Sequence, residues 1–231
     1  MKFRIIPLAV LFALGTSSAF AAQLNLRHEY APDRDGDEHR DRIAISHRFE
    51  NQIGFSVEAK WGSKEGGSFL ENDDVVSKGH EVGVSYNYKV NDKFSLQPAF
   101  QIDSNSSSST YKFNLRGGYQ VTKEWDVAAR YRYGYKNTDN SHYNQVNLYT
   151  NYKFDWGKLG VDLEYKDLQG DTGGWKDKGT DHLFSFVGEY TKLQSGWVPF
   201  GEIAFITYDK DKDGYKDDYI PRYRVGLKYN F

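Results

Sequence analysis

The 231-residue chain contains no cysteine, one methionine and five prolines. Without cysteine it has no disulfide framework, no thiol nucleophile and no Cys-based metal site. It also lacks any mature apolar run approaching the roughly 20 residues that a spanning helix needs. A mean hydropathy of −0.74 with 27% charged residues therefore excludes a bundle of transmembrane helices. Neither figure excludes a membrane β-barrel, because its strands alternate lipid-facing and lumen-facing residues and their average hydropathy stays low. There is no large excess of either charge: 30 Lys and Arg against 32 Asp and Glu give a net charge of −2. No nucleic-acid partner and no cofactor are expected. What the chain has in quantity is aromatic, with 18 Tyr, 15 Phe and 5 Trp. That content suits interfacial girdles, although a Tyr-rich soluble β protein would share it.

The N-terminus predicts export. Lys2 and Arg4 make a positive start, residues 5–14 a short apolar run, and Ala19-Phe20-Ala21 a small-residue cleavage site. Residues 1–22 thus read as a signal peptide cut near Ala21 or Ala22, and residues 23–231 as one domain. Loss of Lys2 and Arg4 takes the net charge from −2 to −4.

The last thirteen residues show the organising pattern. Tyr223, Val225, Leu227, Tyr229 and Phe231 share one face of a strand, and Arg222, Arg224, Gly226, Lys228 and Asn230 the other. Similar runs recur at 23–30, 42–49, 53–61, 81–90, 94–102, 110–120, 125–135, 143–154, 159–166, 182–191 and 197–208. The connections between them alternate short and long. Short periplasmic turns and long outer loops, with an even strand number, are the habit of bacterial outer-membrane barrels. The expectation is an all-β, antiparallel transmembrane barrel of about twelve strands, with both termini in the periplasm of a Gram-negative bacterium.

Facing follows from cost. A Lys or Arg on the lipid face at mid-membrane costs about 2–4 kcal/mol, so charges set the phase of each strand. In 125–135 this sends Trp125, Val127, Ala129, Tyr131 and Tyr133 to lipid. Arg27, Arg42, Arg48, Lys112, Arg116, Arg130, Arg132, Arg222, Arg224 and Lys228 then line the lumen. So do Glu29, Glu58, Asp162, Glu164, Glu189 and Glu202, while Lys60, Glu81, Lys89, Lys153 and Lys166 are phased inward by the same rule. Many unpaired charges cannot sit in a dry core, and about twelve strands leave more room than eight. A narrow aqueous channel is expected. Clustered arginine favours anions, because its planar fork binds carboxylates bidentately. Arg116, Arg130, Arg132, Arg222 and Arg224 read as one basic track, with Arg27, Arg42 and Arg48 as a second. The long loops gather acid, at Asp33, Asp35, Asp37, Glu38, Glu71, Asp73, Asp74, Asp211, Asp213, Asp217 and Asp218.

LNLRHEY from Leu24, RYRY from Arg130, WVPFGEI from Trp197 and the ending RYRVGLKYNF, in that order and spacing, resemble the oligogalacturonate-specific (KdgM-like) porin family. These are small monomeric outer-membrane channels that also include a sialic-acid channel. The resemblance spans essentially the whole mature chain. It implies a twelve-stranded barrel, two facing basic tracks, and passive uptake of acidic oligosaccharides released from pectin. It carries Arg27, Glu29, Arg130, Arg132, Arg222 and Arg224 onto matching positions. The acidic stretch 210–218 departs from the pattern and leaves sialic acid or another uronate open as the solute.

Two further patterns have other readings. Asp209, Asp211, Asp213 and Gly214 match the start of a calcium loop, but position twelve is Ile220 instead of the bidentate Glu. Solvated loop acids explain them as well. The six His show no catalytic spacing with Ser or Asp, and an enzyme barrel is the alternative of a different class. The expected partners are outer-membrane lipid, acidic oligosaccharides, and the barrel-assembly machinery, which would read the aromatic C-terminus at Phe231.

Overall fold

The computed structural model describes residues 22–32, 38–64, 75–138, 140–169, 179–208 and 218–231. The expected signal peptide and the candidate calcium ligands Asp209, Asp211 and Asp213 lie outside the described residues. The period-two runs form strands β1 Gln23–Ala31, β2 Glu38–Arg48, β3 Ile53–Ser63, β4 Val75–Tyr86, β5 Phe94–Ser104 and β6 Ser109–Gln120. They continue as β7 Trp125–Lys136, β8 His142–Phe154, β9 Gly157–Gln169, β10 Gly179–Tyr190, β11 Trp197–Tyr208 and β12 Asp218–Asn230. A two-residue continuation of β4, Tyr88–Lys89, pairs with β5.

Each strand is antiparallel to the next in sequence, β4 pairs with β5, and β1 pairs with β12 from Gln23 opposite Asn230 to Tyr30 opposite Tyr223. The sheet is therefore a closed twelve-stranded barrel without an edge. The seam is completed by the Phe231 amide, which donates to the Ala22 carbonyl at 2.8 Å.

One end of the barrel carries the tight connections. Asn91 Oδ1 accepts from the Lys93 and Phe94 amides at 2.9 and 2.8 Å, and Thr122 Oγ1 accepts from the Glu124 and Trp125 amides at 3.2 and 3.1 Å. Such side-chain caps close a turn within a few residues. Gly196 supplies the positive φ of 77° in the turn before β11.

At the opposite, loop-bearing end several strands run further than the charge pattern predicts. β2 starts at Glu38 instead of residue 42, and β4 at Val75 instead of 81. Backbone pairing with a neighbour, such as Arg40 opposite Gly62, extends the ladder through polar residues. Glu38, expected in an acidic outer loop, is thus a strand residue, with Arg40 at 2.6 Å and Lys78 at 3.8 Å. Lys89 and Lys153 lie exposed at the turn end.

The outward face is apolar. Phe55, Val57, Val84, Leu115, Leu148, Leu159, Phe186, Ile203 and Val225 are exposed along the strands. Aromatics flank them at both ends. Phe154 stacks on Trp156 and Trp197 packs on Tyr229 near the turns, while Tyr30 stacks on His39 and Tyr165 packs on His182 near the loops. This band between two girdles is the outer surface of a membrane barrel. The interior is not uniformly polar. Leu168, Ala204, Ile206 and Ile220, in phase with the inward charges of β9, β11 and β12, are buried on the lumen side. The charge-based phasing cannot see them, since it marks only the inward positions that carry charge.

Val225 is 59% exposed and faces outward at mid-strand. Val225→Arg is expected to destabilise the barrel by about 2–4 kcal/mol, measured by denaturant titration of the protein folded into lipid vesicles. An unchanged midpoint would place this face away from lipid.

Candidate solute-binding lumen

Inward residues of neighbouring strands come side by side because the register pairs them directly. Arg224 on β12 stands between Glu29 on β1 and Glu202 on β11. Its Nε donates to Glu29 Oε2 at 2.6 Å, and its Nη1 to both Glu202 oxygens at 3.0 and 3.1 Å. Arg222 Nη2 donates to Glu202 Oε1 at 2.7 Å. Arg27 lies 4.0 Å from Glu29 and is paired across the ladder with Arg42, which binds Glu58 at 2.8 Å. The chain of charge continues along the wall. Lys60 is 3.8 Å from Glu58 and 2.9 Å from Asp103, and Lys112 is 2.7 Å from both Asp103 and Glu81. Towards the turns, Lys228 and Lys158 share Glu189 at 2.7 and 3.1 Å.

Apart from Lys158 on β9 and Glu189 on β10, these residues lie on β11, β12 and β1 to β6, and their cations are largely neutralised. Carboxylates hold each guanidinium in a fixed orientation, and the side chains are well covered: Glu29 is 5% exposed, Glu202 11% and Lys112 12%.

The second wall is built differently. Arg116 and Arg130 face one another across β6 and β7, and both guanidiniums lie 5.7 Å from the centre of the Tyr149 ring. Arg130 Nη2 donates to Asn147 Oδ1 at 2.8 Å, and Arg132 donates to Asn114 and, at 3.0 Å, to Gln101. Near the turns Arg48 donates to the Gln52 carbonyl at 2.7 Å and to Ser85 Oγ at 3.1 Å. None of these four arginines has a carboxylate partner within ion-pair distance among the described residues. They keep their charge for something else.

The contrast is visible in two cavities of the lumen. The one towards the loops, about 470 Å³, is lined by Arg27, Arg42, Lys60, Arg222 and Arg224, interleaved with Glu29, Glu58 and Asp103. The one towards the turns, about 430 Å³, is lined by Arg48, Arg116 and Arg130 with Gln97, Gln101 and Asn114, and has no carboxylate in its lining.

The sequence profile of the family described as oligogalacturonate-specific porin protein (KdgM) matches residues 15–231. The chain belongs to this family. It is 33% identical over 242 residues to the oligogalacturonate-specific porin KdgM of Dickeya dadantii, covering all of both chains. It is 32% identical to the uncharacterised protein YiiY of Salmonella typhimurium, covering 99% of this chain and 96% of that one. A solved KdgM porin superposes with a TM-score of 0.66, at 33% identity over 90% of this chain and 99% of the other. The NanC porin, at a TM-score of 0.74 and 17% identity, shares the fold over 90% of this chain and all of the other.

The charged residues phased inward from the sequence fall on lumen-facing positions of their strands, but the barrel groups them anew. Arg222 and Arg224 do not join Arg130 and Arg132. Strand order places them beside Arg27 and Arg42, with Arg116, Arg130 and Arg132 on the other wall. Phase counting says which face a residue takes, and only closure says which strand it sits beside. The amide layer of Gln101, Asn114, Gln145 and Asn147 went unnoticed for want of charge, although it shares the phase of the arginines. So did an outward-facing contact near the loops, where His28 lies 2.9 Å from Asp41 and 3.3 Å from His39.

Glu202→Gln leaves Arg222 without a carboxylate partner among the described residues and Arg224 with Glu29 alone. The barrel is expected to lose about 1–3 kcal/mol of stability and to become more anion-selective, read from denaturant midpoint and reversal potential. A reversal potential that moves towards cations would contradict the assignment of Glu202 as the neutralising partner.

Proposed function

We propose that the porin is a passive outer-membrane channel of a Gram-negative bacterium for acidic oligosaccharides, oligogalacturonates first among them. The observation that carries this reading is the set of arginines without carboxylate partners, Arg48, Arg116 and Arg130, that lines the turn-side chamber. It is supported by a solved relative, 33% identical over its whole length, and a second structure described as KdgM porin in complex with disordered oligogalacturonate.

The physical sequence runs from vestibule to exit. A polyanion entering at the loop end meets Arg27, Arg42 and Arg222 held among acids, where net attraction is modest. It then reaches Arg132, Arg130 and Arg116, whose guanidiniums are oriented by neutral amides and by Tyr149. Each solute carboxylate exchanges water for one or two charge-assisted hydrogen bonds. Conduction needs several such sites, each weak enough to release, and amide-held arginines on neighbouring strands supply them. Outer-membrane lipid contacts the apolar band, the chain works as a monomer, and Phe231 with its alternate aromatics is the signal read by the assembly machinery.

The decisive measurement is in planar bilayers. The wild-type channel is expected to prefer anions and to be blocked by trigalacturonate, and more weakly by sialic acid. Arg130→Ser with Arg132→Ser is expected to move the reversal potential towards cations and to weaken the trigalacturonate block by about tenfold or more. Absence of conductance overturns the channel. Unchanged selectivity in the double variant makes the wall structural.

A further inference from the structure

The two carboxylates beside the arginine wall are as unpaired as the arginines. Among the described residues Asp162 and Glu164, on β9, form no ion pair, whereas Glu29, Glu58, Glu81, Asp103, Asp181, Glu189 and Glu202 all do. Their partners are neutral: Glu164 Oε2 accepts from Gln145 Nε2 at 2.7 Å and from Asn147 Nδ2 at 2.9 Å, and the same amide reaches Asp162 Oδ1 at 3.1 Å. Asn147, fully buried, spends its carbonyl oxygen on Arg130 at 2.8 Å and on Gln145 at 2.7 Å. One amide layer on β8 thus stands between the guanidiniums of β7 and the carboxylates of β9.

This spacing is not what charge alone would choose. On the opposite wall Arg224 contacts its acids directly. Here opposite charges two strands apart, about 10 Å between backbones, are kept from collapsing into a pair by Asn147 and Gln145. A third group points the same way. Ser185, the lumen-facing cross-strand neighbour of Asp162, is 2% exposed and its hydroxyl has no hydrogen-bond partner among the described residues. Separated unlike charges beside an unfilled hydroxyl suit a ligand that brings an acid and hydroxyl groups at once.

We infer that Asp162 and Glu164 are the hydroxyl-accepting half of the solute site, so that the lumen selects polyhydroxylated acids over other anions. The inference rests on the channel reading above and adds the substrate feature it reads. A sugar acid places its carboxylate on Arg116 and Arg130 while ring hydroxyls of the same or the next residue donate to Asp162 and Glu164, in bonds strengthened by the acceptor's charge. An anion without hydroxyls meets the same two carboxylates as repulsion. Attraction for one class and repulsion for the other is how a site discriminates between ligands of equal charge.

The test compares trigalacturonate with adipate, a dicarboxylate without hydroxyls, as blockers of single channels in planar bilayers. In Asp162→Asn with Glu164→Gln the half-blocking concentration of trigalacturonate is expected to rise about five- to tenfold, as charged hydrogen bonds become neutral ones. That of adipate is expected to fall, because two repelling charges are gone. A fall for both blockers means a purely electrostatic role and overturns the inference, as does an unchanged trigalacturonate block. A wild-type channel that trigalacturonate fails to block overturns the oligogalacturonate assignment itself. Heat-modifiable gel mobility reports folding of the variant. Should the double change not fold, Asp162→Asn alone carries the same opposite-signed expectation.

Discussion

A guanidinium inside a narrow barrel has to be held by something, and the choice of partner decides what the residue can do. Where the partner is a carboxylate, as for Arg224 between Glu29 and Glu202, charge and hydrogen-bonding capacity are both consumed. The residue then braces strands. Where the partner is an amide or a ring, as for Arg130 with Asn147 and Tyr149, orientation is fixed while the charge survives. Both arrangements use the same side chain on the same sheet. The difference between a supporting wall and a receiving wall is made by Asn and Gln at positions that carry acids elsewhere.

The membrane supplies the complementary constraint. Hydrocarbon forbids charge on the outer face, so each strand's phase is fixed, and closure leaves no backbone group unpaired at an edge. The same rule that keeps Val225 and Ile203 outward forces Arg224 and Glu202 inward. Lumen composition is therefore free to vary only at alternate positions, and function is written there.

This explains which parts were legible in the sequence. Strand number, facing and the long–short rhythm follow from period two and from charge, and Arg116, Arg130 and Arg132 were found on that basis. The extensions of β2 and β4 were not, because polar residues at the loop end form strand only once a neighbouring ladder is present. The pairing of Arg224 with Glu29 could not be read either. It joins positions 195 residues apart, and depends on β12 meeting β1. Uncharged members of the site, Asn147 above all, carried no signal that phase and charge could detect.

The seam between first and last strands also has a meaning in time. Glu29 is made early and Arg224 late, and the two meet only when β12 docks on β1. Until then an acid and a base that end up nearly covered must both remain solvated, and β1 and β12 present open edges. Closing so long a loop carries a chain-entropy cost that only the completed ladder and its ion pairs offset. An open sheet can form the ion pairs between strands adjacent in sequence, such as Arg42 with Glu58, but not the one across the seam. Within the Glu202–Arg224–Glu29 cluster the Glu29 contact alone waits for closure, so it adds its stability to the completed barrel and not to the open sheet.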